Sequence, residues 1–97
     1  MPTRDVLASF WRDWDALSVE EKQAFLAAVR KLVADLKSGR GFRKGLRVKG
    51  VRGGRGIFEL SWSGDGRATF HFGRAVRENE PHIVWRRIGG HEIPSKP

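Results

Sequence analysis

Apolar and polar positions recur with two different periods along this chain, and the period changes before its middle. In the first third, Leu7, Phe10, Trp11, Trp14 and Leu17 recur at the spacing of one helical face, while Arg12, Asp13 and Asp15 fall elsewhere. The spacing predicts a short helix from about Val6 to Ala16. Ser18-Val19-Glu20-Glu21 then reads as a capping box, in which the Ser18 side chain caps a second helix and Glu21 reaches back to the Ser18 backbone. Phe25, Val29, Leu32, Val33 and Leu36 form the stripe that this helix buries, and Gly39 stops it at a left-handed position. The two helices make a hairpin over about residues 6–38 whose apolar stripes need a sheet to cover them.

Beyond the basic loop Gly39-Arg40-Gly41-Phe42-Arg43-Lys44-Gly45 the period becomes two. Leu46-Arg47-Val48-Lys49 is read as a strand with Leu46 and Val48 inward and Arg47 and Lys49 outward. The stretch Ile57 to Phe72 is the clearest element: Phe58, Leu60 and Trp62 share one face of a first strand, and Ala68, Phe70 and Phe72 share one face of a second. A loop at Gly64-Asp65-Gly66, with Gly66 left-handed, pairs Trp62 with Ala68, Leu60 with Phe70 and Phe58 with Phe72. That register puts His71 opposite Glu59 and Thr69 opposite Ser61. His82 to Ile88 is the last strand, with Ile83 and Trp85 inward and His82, Val84 and Arg86 outward. The polar stretch Arg74 to Pro81 is an excursion, Arg52 and Arg55 sit at the rim of a glycine-rich loop, and the final Pro-Ser-Lys-Pro is expected to fray. The fold class is α+β: one domain over 1–97, with the helical hairpin packed on one face of a small antiparallel sheet at about 46–88. A tail follows at 89–97. The first strand is reduced to a stub within residues 1–5 or absent.

Charge adds a direction to this picture. Residues 1–36 carry five Lys or Arg against six Asp or Glu, a net −1, whereas residues 37–97 carry fourteen against five, a net +9. A basic sheet half on a small domain points to a polyanion or an acidic protein as partner. There is no cysteine, which removes disulfides and zinc ribbons and fits a cytoplasmic protein. No apolar run approaches the roughly 18 residues of a membrane span, and the N-terminus lacks a signal-peptide pattern, so neither a membrane nor secretion is expected.

With the faces assigned, one open side of the sheet gathers Arg47, Lys49, Glu59, Ser61, Arg67, Thr69, His71 and Arg86, and His91 can fold over its end. Arginine binds phosphate bidentately and stabilises charge that develops on a transferring phosphoryl group. Histidine titrates near neutrality and serves as acid or base. RNA cleavage through the neighbouring 2′-hydroxyl needs no metal and no cofactor, and His71, His82 and His91 lack a close metal-ligand spacing. The plain alternative for Glu59 and His71 is an ordinary cross-strand surface pair. Trp62 and Trp85 could stack bases, but their inward phase assigns them to the core.

The order of these parts resembles the RelE/ParE superfamily of type II toxin–antitoxin toxins. The similarity rests on the helical hairpin, the segment Leu46-Arg47-Val48-Lys49-Gly50-Val51-Arg52-Gly53, the run Ile57-Phe58-Glu59-Leu60, the turn Gly64-Asp65-Gly66-Arg67 and the ending Trp85-Arg86-Arg87-Ile88-Gly89-Gly90-His91-Glu92-Ile93. The resemblance implies a basic endoribonuclease that cuts translated mRNA in the ribosomal A site and is neutralised by an acidic antitoxin. It assigns catalysis to Arg67 and His91; beside them the open face offers Glu59 or His71 as the partner base, and Arg47, Lys49, Arg52, Arg55, Arg86 and Arg87 are the basic residues expected to bind RNA. The strand before the turn departs from RelE-like members, carrying Glu59 and Ser61 where they have basic residues. The chain also lacks the tyrosine that several members use near the C-terminus. The same superfamily includes ParE-like inhibitors of DNA gyrase, and non-catalytic relatives that bind nucleic acid or protein.

Overall fold

The chain enters its sheet before it enters its helices. The computed structural model describes residues 2–97, and its first element is a four-residue strand, β1 (Thr3–Val6). Helices α1 (Ala8–Asp15) and α2 (Val19–Ser38) follow, then strands β2 (Lys49–Gly50), β3 (Ile57–Ser61), β4 (Arg67–Phe72) and β5 (His82–Gly89). The sheet has five strands in the order β1-β5-β4-β3-β2. The first strand is the stub that the sequence allowed, and it pairs parallel with β5 while all other pairs are antiparallel, so the sheet is mixed. Val6 thereby belongs to the strand and not to the first helix, and the Leu7 N–H closes on the Trp85 carbonyl at 2.9 Å.

The capping box forms as the sequence spells it: Glu21 N donates to Ser18 Oγ at 3.1 Å, and Ser18 N donates to Glu21 Oε1 at 2.8 Å. Gly39 ends α2 with φ 69°, the left-handed conformation that a residue without Cβ adopts cheaply. Arg43 then folds back on the helix, giving its backbone N–H and its guanidinium to Asp35. These bonds hold the Asp35 carboxyl below the usual carboxylate range.

Phe10, Phe25, Ala28 and Leu32 from the helices meet Leu60, Trp62, Ala68, Phe70, Ile83, Trp85 and Ile88 from the sheet in one buried cluster. Aromatic rings carry much of it: Phe25 lies edge-on to Trp85 with centroids 5.1 Å apart, and Phe70 meets Trp85 at 5.3 Å. The stripe on α1 is only partly used, because Phe10 is buried whereas Leu7 and Trp11 remain exposed.

Three further sequence expectations change here. Leu46–Lys49 is not a strand: Lys44–Leu46 form a 3₁₀ turn, Arg47 is left-handed at φ 49°, and only Lys49 and Gly50 pair with β3. The β3–β4 register is offset by two residues from the expected one, with Leu60 opposite Ala68, Phe58 opposite Phe70, Glu59 opposite Thr69 and Ser61 opposite Arg67. An even offset preserves the faces, so the core assignment survives while Glu59 loses His71 as its neighbour. The loop closes one residue earlier than expected, through Trp62 N to Gly66 O at 3.1 Å. Gly66 does not have positive φ; it is needed because a Cβ there would stand 2.4 Å from the Trp62 indole.

The third change concerns the end of the chain. Pro94–Pro97 do not fray. Ile93 is buried, Ile93–Ser95 form a 3₁₀ turn, and the Pro97 carbonyl accepts from Thr69 and Arg86 on the outer side of the sheet. Arg87 is drawn to α1, where Asp13 accepts from its Nε at 2.7 Å and its Nη2 at 3.0 Å and also takes the Ile88 N–H. Burial by itself would raise the Asp13 pKa; the Arg87 and Ile88 hydrogen bonds and the positive charges of Arg87 and Arg12 outweigh it and hold the carboxyl low.

Candidate functional site

The offset register sorts the candidate residues into three places. The first is a cleft of about 350 Å³ at the β2–β3–β4 side of the sheet, walled by Arg47, Val48, Lys49, Glu59, Ser61 and Arg67. Each wall residue arrives there for a local reason. The left-handed backbone of Arg47 turns the chain out of the 3₁₀ turn towards β2. Lys49 pairs directly across from Glu59 in the ladder, with Nζ 3.7 Å from Oε1. Glu59 itself is buried, at 8% relative exposure, whereas the Lys49 side chain is largely free. Arg67 opens β4, and its Nη1 faces the carbonyls of Ser63, Gly64 and Gly66, the last at 2.9 Å. The turn therefore holds the guanidinium at the rim of the cleft.

The second place lies at the same end of the sheet. Arg67 pairs with Gly89 of β5, and two residues beyond Gly89 stands His91. Its Nδ1 is 2.7 Å from Asp65 Oδ1, in the turn two residues before Arg67. Two extended residues span at most about 7 Å, so His91 and Arg67 are brought to one rim by the β3–β4 turn and the end of β5. Asp65 had no assigned role in the sequence reading. It is legible there only as a turn residue, because its partner lies 26 positions away.

The third place holds His71 and Arg86, away from the other two. His71 faces Ile57 and Val84 across the ladder, four residues along β4 from Arg67, or roughly 13 Å. Arg86 Nη1 lies 3.0 Å from His71 Nδ1 and, as a donor, requires that nitrogen to accept. Burial, then the charge of Arg86 and that of His82, hold the His71 pKa below the ordinary histidine value. His71 and Glu59 thus do not form the expected pair: Glu59 has Lys49, and His71 has Arg86. Thr69 lies between them and is fully buried under the tail.

Among the RNA-binding candidates, Arg47 and Lys49 line the cleft, and Arg52 and Arg55 are exposed on the loop between β2 and β3. Arg86 binds His71 and the tail. Arg87 is occupied by Asp13, so its fork does not face solvent as a free phosphate ligand. Among the described residues no helix is long and apolar enough to cross a membrane.

No protein-family model matches the chain, and no curated protein matches it in sequence. Solved structures do match in shape. The toxin–antitoxin complex DinJ-YafQ from E. coli aligns over 95% of this chain and 94% of the matched chain with a TM-score of 0.64 at 10% identity. The RelB-RelE antitoxin–toxin complex from Methanococcus jannaschii aligns over 95% and 98% with a TM-score of 0.60 at 12% identity. A copper-bound mutant toxin from Helicobacter pylori aligns over 96% and 98% with a TM-score of 0.61 at 14% identity. At such identities the likeness is one of fold, and over nearly its whole length this chain has the RelE/YafQ-like fold.

Proposed function

We propose that this protein is the toxin of a toxin–antitoxin pair and that it cleaves mRNA by metal-independent transphosphorylation, in association with the ribosome. The observation that carries the reading is the meeting of Arg67 with Glu59, Arg47 and Lys49 in one basic cleft, beside the His91–Asp65 pair. In the reaction the RNA 2′-oxygen attacks the adjacent phosphorus, the bond to the 5′-oxygen breaks, and a cyclic phosphate and a free 5′-hydroxyl result. Such a reaction needs a base for the 2′-hydroxyl proton, an acid for the leaving oxygen and a cation for the phosphoryl oxygens. Arg67 supplies the cation. His91 supplies a proton through Nε2 once Asp65 orients the ring through Nδ1, as a carboxylate partner does for a working histidine. The base is Glu59, the carboxylate that lines the cleft with Arg67, and Lys49 Nζ stands 3.7 Å from its Oε1. His71 stands too far along β4 for that role.

Lys49, Arg47, Arg52, Arg55 and Arg86 would hold the RNA backbone, and the net charge of +8 also suits an acidic antitoxin that masks the same surface. The test is expression in cells of the wild type beside Arg67→Ala and His91→Ala, with mRNA ends mapped after induction. Arg67→Ala is expected to lower cleavage by about a hundredfold or more, the scale of removing one transition-state donor. Wild type that leaves mRNA and translation as untouched as the variants would sink the reading.

A further inference from the structure

Strand β2 is too short to cover β3, and the uncovered part of β3 joins the Arg67 cleft to a second groove. β2 begins at Lys49, opposite Glu59, and the left-handed Arg47 before it keeps the preceding chain out of the ladder. Backbone groups along a strand point alternately to its two neighbours. The Ile57 carbonyl accepts from Val51 N on the β2 side, and Trp62 N donates to the Gly66 carbonyl on the β4 side. Ser61, in phase with Ile57, therefore directs its N–H and carbonyl to an edge where, among the described residues, no strand pairs with it. Ser61 lines the cleft that holds Arg67, and it also lines a groove of about 360 Å³ between α2 and β3. Ala24, Ala27 and Ala28 share one face of α2 and keep that groove open, with Leu46 and Trp62 as its other apolar walls. The exposed Lys31 stands on the same helical face. Arg67 is the cross-strand partner of Ser61, so the groove begins one strand away from the guanidinium.

We propose that this groove is a base subsite: it receives the nucleobase of an RNA nucleotide beside the phosphate held at Arg67, and the free edge of β3 at Ser61 reads that base. The inference rests on the RNA reading above and deepens it. An unstacked base in single-stranded RNA presents hydrogen-bonding groups along its edges and apolar surface on its faces. The groove answers both. The Ser61 backbone offers one donor and one acceptor, as it would to a neighbouring strand, and the Ser61 and Ser63 side chains stand at the same border. The alanine face, Leu46 and Trp62 offer apolar surface to the ring. Lys31 offers a charge to the neighbouring phosphate, a contact that positions the strand without reading it. Continuity with the Arg67 cleft through Ser61 is what favours RNA over a protein strand at this edge.

The experiment measures binding of a short 2′-O-methyl oligoribonucleotide, which lacks the nucleophile and cannot be cleaved, against an abasic chain of the same length and charge. Fluorescence anisotropy at one salt concentration compares three proteins: the wild type, Ala27→Leu, which fills the groove from the helix, and Ala34→Leu, at an exposed position of α2 outside it. The wild type is expected to bind the oligonucleotide about fivefold or more tighter than the abasic chain, the scale of one base contact. Ala27→Leu should remove most of that preference and leave the affinity for the abasic chain unchanged, whereas Ala34→Leu should alter neither. Equal binding of the two chains by the wild type overturns the proposal. So does a preference that survives Ala27→Leu, or one that Ala34→Leu also removes. NMR on the wild type covers the case of a variant that does not fold. The Ser61 and Ser63 amide signals should shift more with the oligonucleotide than with the abasic chain at equal saturation, and equal shifts count against the subsite. No binding of either chain removes the subsite and the RNA reading together. Base-dependent binding without cleavage of ordinary RNA overturns only the cleavage, and cleavage without base-dependent binding overturns only the subsite.

Discussion

His71 is the residue whose environment differs most from what its place in the sequence suggested. Alternation put it on an equipped face opposite a carboxylate, and the fold gives it a guanidinium instead. Its proton affinity follows from that exchange, since burial and the positive charge of Arg86 both disfavour the imidazolium. A histidine whose folded pKa lies below the unfolded value of about 6.5 binds fewer protons folded than unfolded. Its stabilisation is complete above that value and is lost as pH falls through the folded pKa. The wild type should therefore lose more Tm between pH 7.5 and 5.5 than His71→Gln does, with His82 and His91 common to both proteins. Parallel curves in calorimetry would contradict this account of His71. Asp65 and Glu59 carry the same lesson from the acidic side. Their residue types were visible in the chain, but their partners, His91 and Lys49, depend on which strands lie next to each other.

Elements were more legible than pairings. The capping box and Gly39 bound α2 as their chemistry requires, because both signals act within a few residues. The β3–β4 hairpin kept its faces and lost its register. What decides the register is the Trp62 ring lying over Gly66, a contact between one large residue and the absence of another. Gly66→Ala should cost about 1–3 kcal/mol through overpacking, which corresponds to a fall in Tm of roughly 4–8 °C for each kcal/mol in a domain of this size. A thermal melt with Tm unchanged would mean that the indole moves aside at no cost. The strand expected at Leu46–Lys49 failed for a related reason. Four alternating residues satisfy the pattern, yet Leu46 reaches the core from a 3₁₀ turn and Arg47 turns left-handed to follow it. In the last strand Arg86 and Arg87 stand side by side where strict alternation would part an inward from an outward residue, and the bulge at Arg86 accommodates them.

For the whole molecule, charge and fold act together. The sheet half holds the excess positive charge, and the fold spends part of it internally, on Asp13 and Asp35. Binding to single-stranded RNA should weaken linearly with the logarithm of salt concentration, with a slope near −0.7 for each phosphate neutralised. Arg47→Gln and Lys49→Gln are each expected to make that slope shallower by about 0.7. Arg87→Gln should instead leave the slope nearly unchanged and lower the Tm, because it takes the guanidinium from the partly buried Asp13 carboxylate and removes one tie between α1 and β5. A full-sized change in slope for Arg87→Gln would show that this arginine meets RNA after all.

Local and periodic features were settled by the sequence alone: two helices with their cap and stop, a hairpin with one apolar face, a basic second half and the α+β class. These depend on side-chain period, on interactions a few residues apart or on summed charge, all of which are written along one dimension. The tertiary structure decided the parallel pairing of β1, the two-residue offset between β3 and β4, the bulge at Arg86 and the tail folded over Thr69. Each arises from contacts between residues distant in the chain, where steric fit selects among arrangements that share the same pattern. For that reason Arg67, Glu59 and His91 could be named from the sequence. Only the fold could place Asp65 beside His91 and move His71 away from Glu59.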